Sequence, residues 1–338
     1  MATMAILFPN KRVVGFILSF YVFVFCFLPA VFCAGHLQKL HLPDPGPDCF
    51  AFDSAGQGPY TGVADGRIFK YKGPKVGFVE YGYSKADRSA RFCDGTNSTA
   101  LAKACGRPSG LGFYYKTGEL YVADDGVGLV VIGPKGGAGK VLASGAEKVP
   151  FGLPDGLDVD QNTGIVYFTD ATARYTINEI PQIIASGDST GRLLKYNPRT
   201  KKVTVLLRRL AGPAGVAISK DRSYLLVTEN LKSRVWKYWL KGPKANTAHV
   251  LLNVSGSPAK IVRNNVGDFW LAMTVKRQVP TPRIKLQGLR INGYGKILET
   301  ITFNPGFDSS MITEVHEHKG ALYLGSLYVG YVGVYRKF

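Results

Sequence analysis

The sequence predicts an all-β protein, a six-bladed β-propeller, and three observations predict it. In Leu153–Asp170, apolar residues alternate at period two on either side of a glycine-containing turn, the pattern of a β-hairpin with one buried face. That hairpin recurs: it reads again from Pro47 to Asp65, Pro108 to Asp124, Pro213 to Glu229, Pro258 to Met273 and Ile312 to Gly325. Successive copies lie roughly 45 to 60 residues apart, the period of propeller blades.

The 338 residues have a hydrophobic fraction of 46%, which fits a packed chain and not a disordered one. Lys11 and Arg12 precede an unbroken apolar run, Val13–Phe32, followed by small residues. A basic start, an apolar core and small residues beyond it describe a signal peptide, although the run is also long enough to span a bilayer. Cleavage is the expectation: residues 1–33 are the signal peptide and residues 34–338 a single propeller domain. No other stretch could cross a membrane, so the expected mature protein is not held in a membrane after signal cleavage and travels the secretory pathway, to the vacuole or outside the cell.

The formal charge is +18. Much of it falls on the outer parts of the fourth and fifth copies, from Lys201 and Lys202 to Lys244, and reads as a solvated basic face. A nucleic-acid partner is possible on charge alone, but the secretory start argues against it. An acidic cell-wall polymer or an anionic membrane surface is the remaining partner for such a face.

His36–Pro47 reads as a proline-rich lead-in to the first blade. Between Ala86 and Arg107 the β pattern lapses; this segment holds Cys93 and Cys105, which would close a small loop in an oxidising lumen. Cys49 sits inside a strand pattern and reads as a buried free thiol. Asn97 and Asn253 head glycosylation acceptor triplets. Ile177–Ser186 has helical spacing broken by Pro181, an insertion placed to roof a central pocket. Arg277–Lys285 is a proline-broken basic loop, and loops of this kind often carry function.

Familiar catalytic patterns find no support. Gly187–Gly191 matches G-x-S-x-G, but a helix enters and a strand leaves, the reverse of a nucleophile elbow, so Ser189 reads as a turn residue. His316 and His318 share a strand face but have no third ligand of matching type nearby. The starts of the inner strands carry more chemistry, because a propeller brings them to one end of its central channel. Asp48, Asp155, Ala214, Ala259-Lys260 and Thr313-Glu314 hold comparable offsets. Lys260 would neutralise Asp48 and Asp155 without a metal, so the expectation is a charge-compensated pocket with no metal and no cofactor.

Four passages carry a family resemblance: Asp160–Asp170, Gly191–Leu207, Val235–Lys244 and Glu317–Ser326. On these the chain, from Gly46 to Val334, resembles the plant strictosidine synthase family, and the Cys93/Cys105 loop looks like that family's disulfide loop. The resemblance implies a secretory, often vacuolar, six-bladed propeller whose founding activity is a Pictet–Spengler condensation of tryptamine with secologanin. It also implies a catalytic glutamate four residues before the Glu-His-x-Gly turn, and a histidine two residues before that. Those positions here are Thr313 and Met311. Glu314 is one residue on, and in a regular strand one residue is the opposite face, which argues against it as a stand-in. Two further pocket positions of the family fall at Asp155 and near Pro282. More distantly the fold is similar to calcium-dependent lactonases of the paraoxonase type, whose ligand pattern Ala214, Ala259 and Lys260 depart from.

The expectation is therefore a monomer that binds a small organic molecule in the channel through Asp48, Asp155, Lys260, Met311 and Thr313. It would be a condensing enzyme of specialised metabolism with Asp155 or Glu314 as proton carrier. An ester or lactone hydrolase and a non-catalytic binding protein are the alternatives.

Overall fold

Blade three follows directly from its alternation. Pro154–Val159, Val166–Asp170, Gly191–Asn197 and Lys202–Leu210 pair in sequence order into an antiparallel sheet. Val166 and Phe168 turn their side chains into the layer between blades, and both are fully buried. In the computed structural model, which describes residues 36–277, 283–304 and 306–337, this unit repeats as six four-stranded sheets. The fold is a six-bladed propeller, and Leu37–Arg336 make one compact unit. Residues 1–33, where the signal peptide is expected, and Pro282 lie outside the described residues.

The core is a ring of layers, one between each pair of neighbouring blades. Phe113, Leu120 and Val122 belong to the layer between blades one and two. Trp270, Phe307 and Leu324 belong to that between five and six. Truncating one of the fully buried aromatics, such as Phe168, would cost about 3–5 kcal/mol.

The ring closes in a way the sequence did not suggest. His36–His41 is the outermost strand of blade six, beside Tyr331–Arg336, and not a lead-in to blade one. Blade one is the irregular member. Its innermost segment makes only the isolated bridge Ala51–Tyr60, and its outer edge is extended by Gly137–Ala138, which pairs in parallel with the Phe78–Tyr83 strand.

A recurring clamp fixes the blade ends. Asp170 and Glu229 end the second strands of blades three and four, and Asp65 lies in the turn after that of blade one; they bind Arg192, Arg234 and Arg67 at the starts of the third strands. Asp170 also accepts the backbone N–H groups of Gly152 and Leu153, and Glu229 that of Ala211, tying each blade to the entry of its own inner strand. In blade two Gly128 replaces the arginine. There Asp124 instead accepts from Ser84 and from the backbone of Arg107, Gly126 and Val127.

The segment without β pattern contains two short helices, Ala90–Cys93 and Ala102–Cys105, joined by a Cys93–Cys105 disulfide. Ile180–Ser186 is helical with Pro181 in its first turn, where a missing N–H costs nothing. Ile177 and Ile183 pack on Ala102, Leu153 and Ala171. The insertion therefore lies at the end where the inner strands begin. Among the described residues, no helix is long and apolar enough to cross a membrane.

Candidate functional site

The inner strands approach one another around the axis, and three glycines permit it. A Cβ on Gly110 would stand 2.1 Å from the Asp155 carbonyl oxygen, one on Gly156 2.5 Å from that of Ala214, and one on Gly215 2.7 Å from Lys260 Cα. The equivalent positions in blades one, five and six are Cys49, Lys260 and Glu314. One half of the channel at this level is bare backbone, and the other half carries three side chains.

Lys260 reaches across the axis from blade five. Its Nζ donates to Asp48 Oδ2 of blade one and Asp155 Oδ1 of blade three, at 2.6 Å each. Burial pushes the Asp155 carboxyl up to about 7 against the pull of the Lys260 ammonium; burial would lower the lysine, but the two carboxylates outweigh it and hold the lysine well above its usual range. Cys49 is a buried free thiol, and burial, reinforced by the charge of Glu314, pushes it well above its ordinary range.

From this level a cavity of about 390 Å³ runs along the inner strands to the loops at their far ends, where Asp53, Tyr115, Gln161, Asn265 and His318 line it. The Ile180–Ser186 helix stands at the opposite end, so it does not roof this cavity. Lys260 and Glu314 line the cavity; Asp48, Asp155, Met311 and Thr313 are not among its wall residues.

Glu314 departs from the sequence reading. Its carboxylate lines the cavity, accepts the Phe50 N–H at 3.1 Å and lies 3.1 Å from His316 Nδ1. Thr313 spends its hydroxyl on the carbonyl of Asp48. Regular alternation does put neighbours on opposite faces, but here it is Glu314 that faces the cavity: the ladder pairs Glu314 with Gly325, and Val315 goes into the core. Bulges at Pro154/Leu157, Pro213/Val216 and Pro258/Ile261 further offset the strand starts.

The walls combine aromatic surface with polar groups the sequence had not singled out. Phe50, Phe52, Phe113 and Tyr115 supply apolar area, and His318 stacks on Phe52 with centroids 3.7 Å apart. Burial lowers the pKa of His318, against the pull of its hydrogen bond to the Gly56 carbonyl. Asp158 accepts the Ile218 N–H at 2.8 Å, and burial pushes its carboxyl up to about 6. Glu317 accepts from Asn264 and from the Trp270 indole. At the strand-start end, Arg107 is buried with Nε and Nη1 unpartnered among the described residues, beside Asp125, which burial pushes well up. Asp158 was legible only as a polar residue within a hairpin pattern; its exposure to the channel depends on the ring.

The donors do not fit a calcium ion. Lys260 Nζ stands between the two carboxylates, three of the six equivalent positions are glycine, and among the described residues no cluster of three His, Cys, Asp or Glu is arranged for a metal.

The fold and site together define a six-bladed propeller with a charged, aromatic-walled axial cavity. Residues 155–243 match the strictosidine synthase family profile. Strictosidine synthase-like protein 12 of Arabidopsis thaliana is 42% identical over 301 residues, covering 88% of this chain and 89% of its own length. Strictosidine synthase of Catharanthus roseus is 37% identical over 303 residues, covering 88% and 86%. The chain belongs to the strictosidine synthase-like family. A gluconolactonase of Xanthomonas campestris superposes with a TM-score of 0.63 at 12% identity over 90% of both chains. The calcium-binding protein regucalcin of Agrobacterium tumefaciens gives 0.62 at 11% identity over 88% of this chain and 93% of its own. These two likenesses establish the fold alone.

Proposed function

We propose that this protein binds a small organic amine in its axial cavity and condenses it with a carbonyl compound, with Glu314 carrying the proton. The observation that supports this reading is a buried cavity carboxylate that, among the described residues, meets a backbone N–H and an imidazole and forms no ion pair with a lysine or arginine. Asp155 is the poorer carrier, because Lys260 occupies it. On this reading Thr313 holds the family's glutamate position and Glu314 takes over its role from the neighbouring residue.

The chemistry balances on one carboxylate. Glu314 accepts a proton from the bound ammonium, leaving a nucleophilic amine. The amine adds to the carbonyl, and the protonated Glu314 returns its proton to the departing hydroxyl, which leaves as water and gives an iminium. Attack by an electron-rich aromatic carbon closes the ring, and the proton lost from that carbon passes to Glu314, which hands it to the secondary amine of the product and is a carboxylate again. Phe50, Phe52 and Phe113 would exclude water and hold an aromatic amine. The Cys93–Cys105 disulfide suits an oxidising compartment, and we place the protein in the secretory route, in the vacuole or outside the cell.

The test is mass spectrometry of the mature protein incubated with tryptamine and secologanin, beside Glu314→Gln. Product from wild type and at least a hundredfold less from E314Q is expected. An unchanged rate in E314Q removes Glu314 from the chemistry. No product from either, with ligand-dependent thermal stabilisation, would leave a binding protein without turnover.

A further inference from the structure

A second cavity, of about 520 Å³, lies between blades one and two. It shares Asp53, Ser54, Phe113 and Tyr115 with the axial cavity, so the channel turns outward there into a groove instead of ending at its mouth. The chemistry changes along the way. The axial part carries Asp158, Glu314 and Glu317 with Arg263 and with Lys260, whose charge is taken up by Asp48 and Asp155; the groove carries Lys70, Lys72 and Lys135 with Asp53 and Glu80.

Lys70 is already engaged, with Nζ 3.1 Å from Asp53 Oδ2 and 2.8 Å from Gln57 Oε1. Glu80, the other carboxylate on this wall, has Arg67 3.9 Å away. Lys72 and Lys135 make no ion pair among the described residues, which leaves the groove with uncompensated positive charge. Its floor is fixed. Tyr60 packs edge-on against Tyr81 and Phe113, its hydroxyl donates to Asp53, and the Tyr81 hydroxyl donates to the Gly133 carbonyl.

We infer that the groove takes the carboxylate-bearing end of an elongated ligand whose amine lies beside Glu314, an inference that rests on the amine reading of the axial cavity. A ligand with its cation in the acidic compartment and its anion between Lys72 and Lys135 matches both ends, and the apolar stretch over Phe113 and Tyr115 suits the chain that joins them.

Titration calorimetry with three probes tests this on wild type and the exposed double variant K72E/K135E. The probes are tryptamine, tryptamine carrying a carboxypentyl chain on its indole nitrogen, and 6-phenylhexanoate. The chain should tighten wild-type binding about tenfold, the double variant should lose that gain, and tryptamine should bind both proteins alike. If tryptamine binds neither protein while 6-phenylhexanoate binds wild type and not K72E/K135E, the amine reading falls and the groove stands. If the chain adds nothing, if its gain survives in K72E/K135E, or if 6-phenylhexanoate fails to bind wild type, the groove inference is overturned.

Discussion

Lys260 and Asp48 are 212 residues apart in the chain and 2.6 Å apart in the structure, joined across the axis of the propeller. With Asp155 of blade three the same ammonium links three blades. This bridge makes the centre of the ring polar, and several of its consequences are measurable.

Lys260→Met would leave Asp48 and Asp155 buried without a cation. Removing one partner of a buried pair costs about 3–5 kcal/mol, whereas exchanging all the partners for apolar or neutral groups costs little. K260M should therefore lower the denaturation midpoint markedly, and D48N/D155N/K260M should recover most of it. Equal losses in the two variants would mean that Lys260 acts through packing and not through charge.

Asp158 gives a pH dependence of definite sign. Its folded pKa, about 6, lies above the ordinary value near 3.9, so the folded protein binds the proton more tightly than the unfolded chain. Its contribution is then most favourable below about pH 4 and is lost as the pH rises through 6, by about 3 kcal/mol at most. Asp158→Asn keeps an oxygen for the Ile218 N–H and should flatten stability between pH 4 and 6 in denaturant titrations. A slope as steep as wild type's would contradict the assignment.

The Cys93–Cys105 disulfide closes a short loop, separation 12, around two small helices. Loop-closure entropy gives such a bridge about 3 kcal/mol. C93S/C105S should melt earlier by that equivalent without loss of the β circular-dichroism signal. An unshifted melting temperature would show that the helices hold the loop unaided.

Thr313→Glu tests which neighbour the channel accepts as a proton carrier. Thr313 is buried, and its hydroxyl meets the Asp48 carbonyl oxygen, so a carboxylate there would face an acceptor and the already acidic Asp48. T313E should lose about 2–3 kcal/mol of stability and gain no condensing activity. Improved turnover in T313E would return the catalytic role to that position.

The blade pattern was legible because alternation at period two and its recurrence are local properties of the chain, and six copies of one hairpin admit few architectures. That Asp48, Asp155 and Lys260 lie near one end of the channel was legible for a related reason, since comparable offsets in equivalent repeats meet around an axis; that the Lys260 ammonium turns inward to both carboxylates was decided by the assembled ring. What the sequence left open depended on contacts between distant segments. Only ring closure made His36–His41 the outer strand of blade six. Only the ladder of the last inner strand turned Glu314, and not Thr313, into the cavity. The packing of the Ile180–Ser186 helix on Leu153, Ala171 and Ala102 decided which end of the channel it covers. Local periodicity fixes which residues share a face, but which face meets the axis is set by the neighbours on either side. That choice is made in the assembled ring.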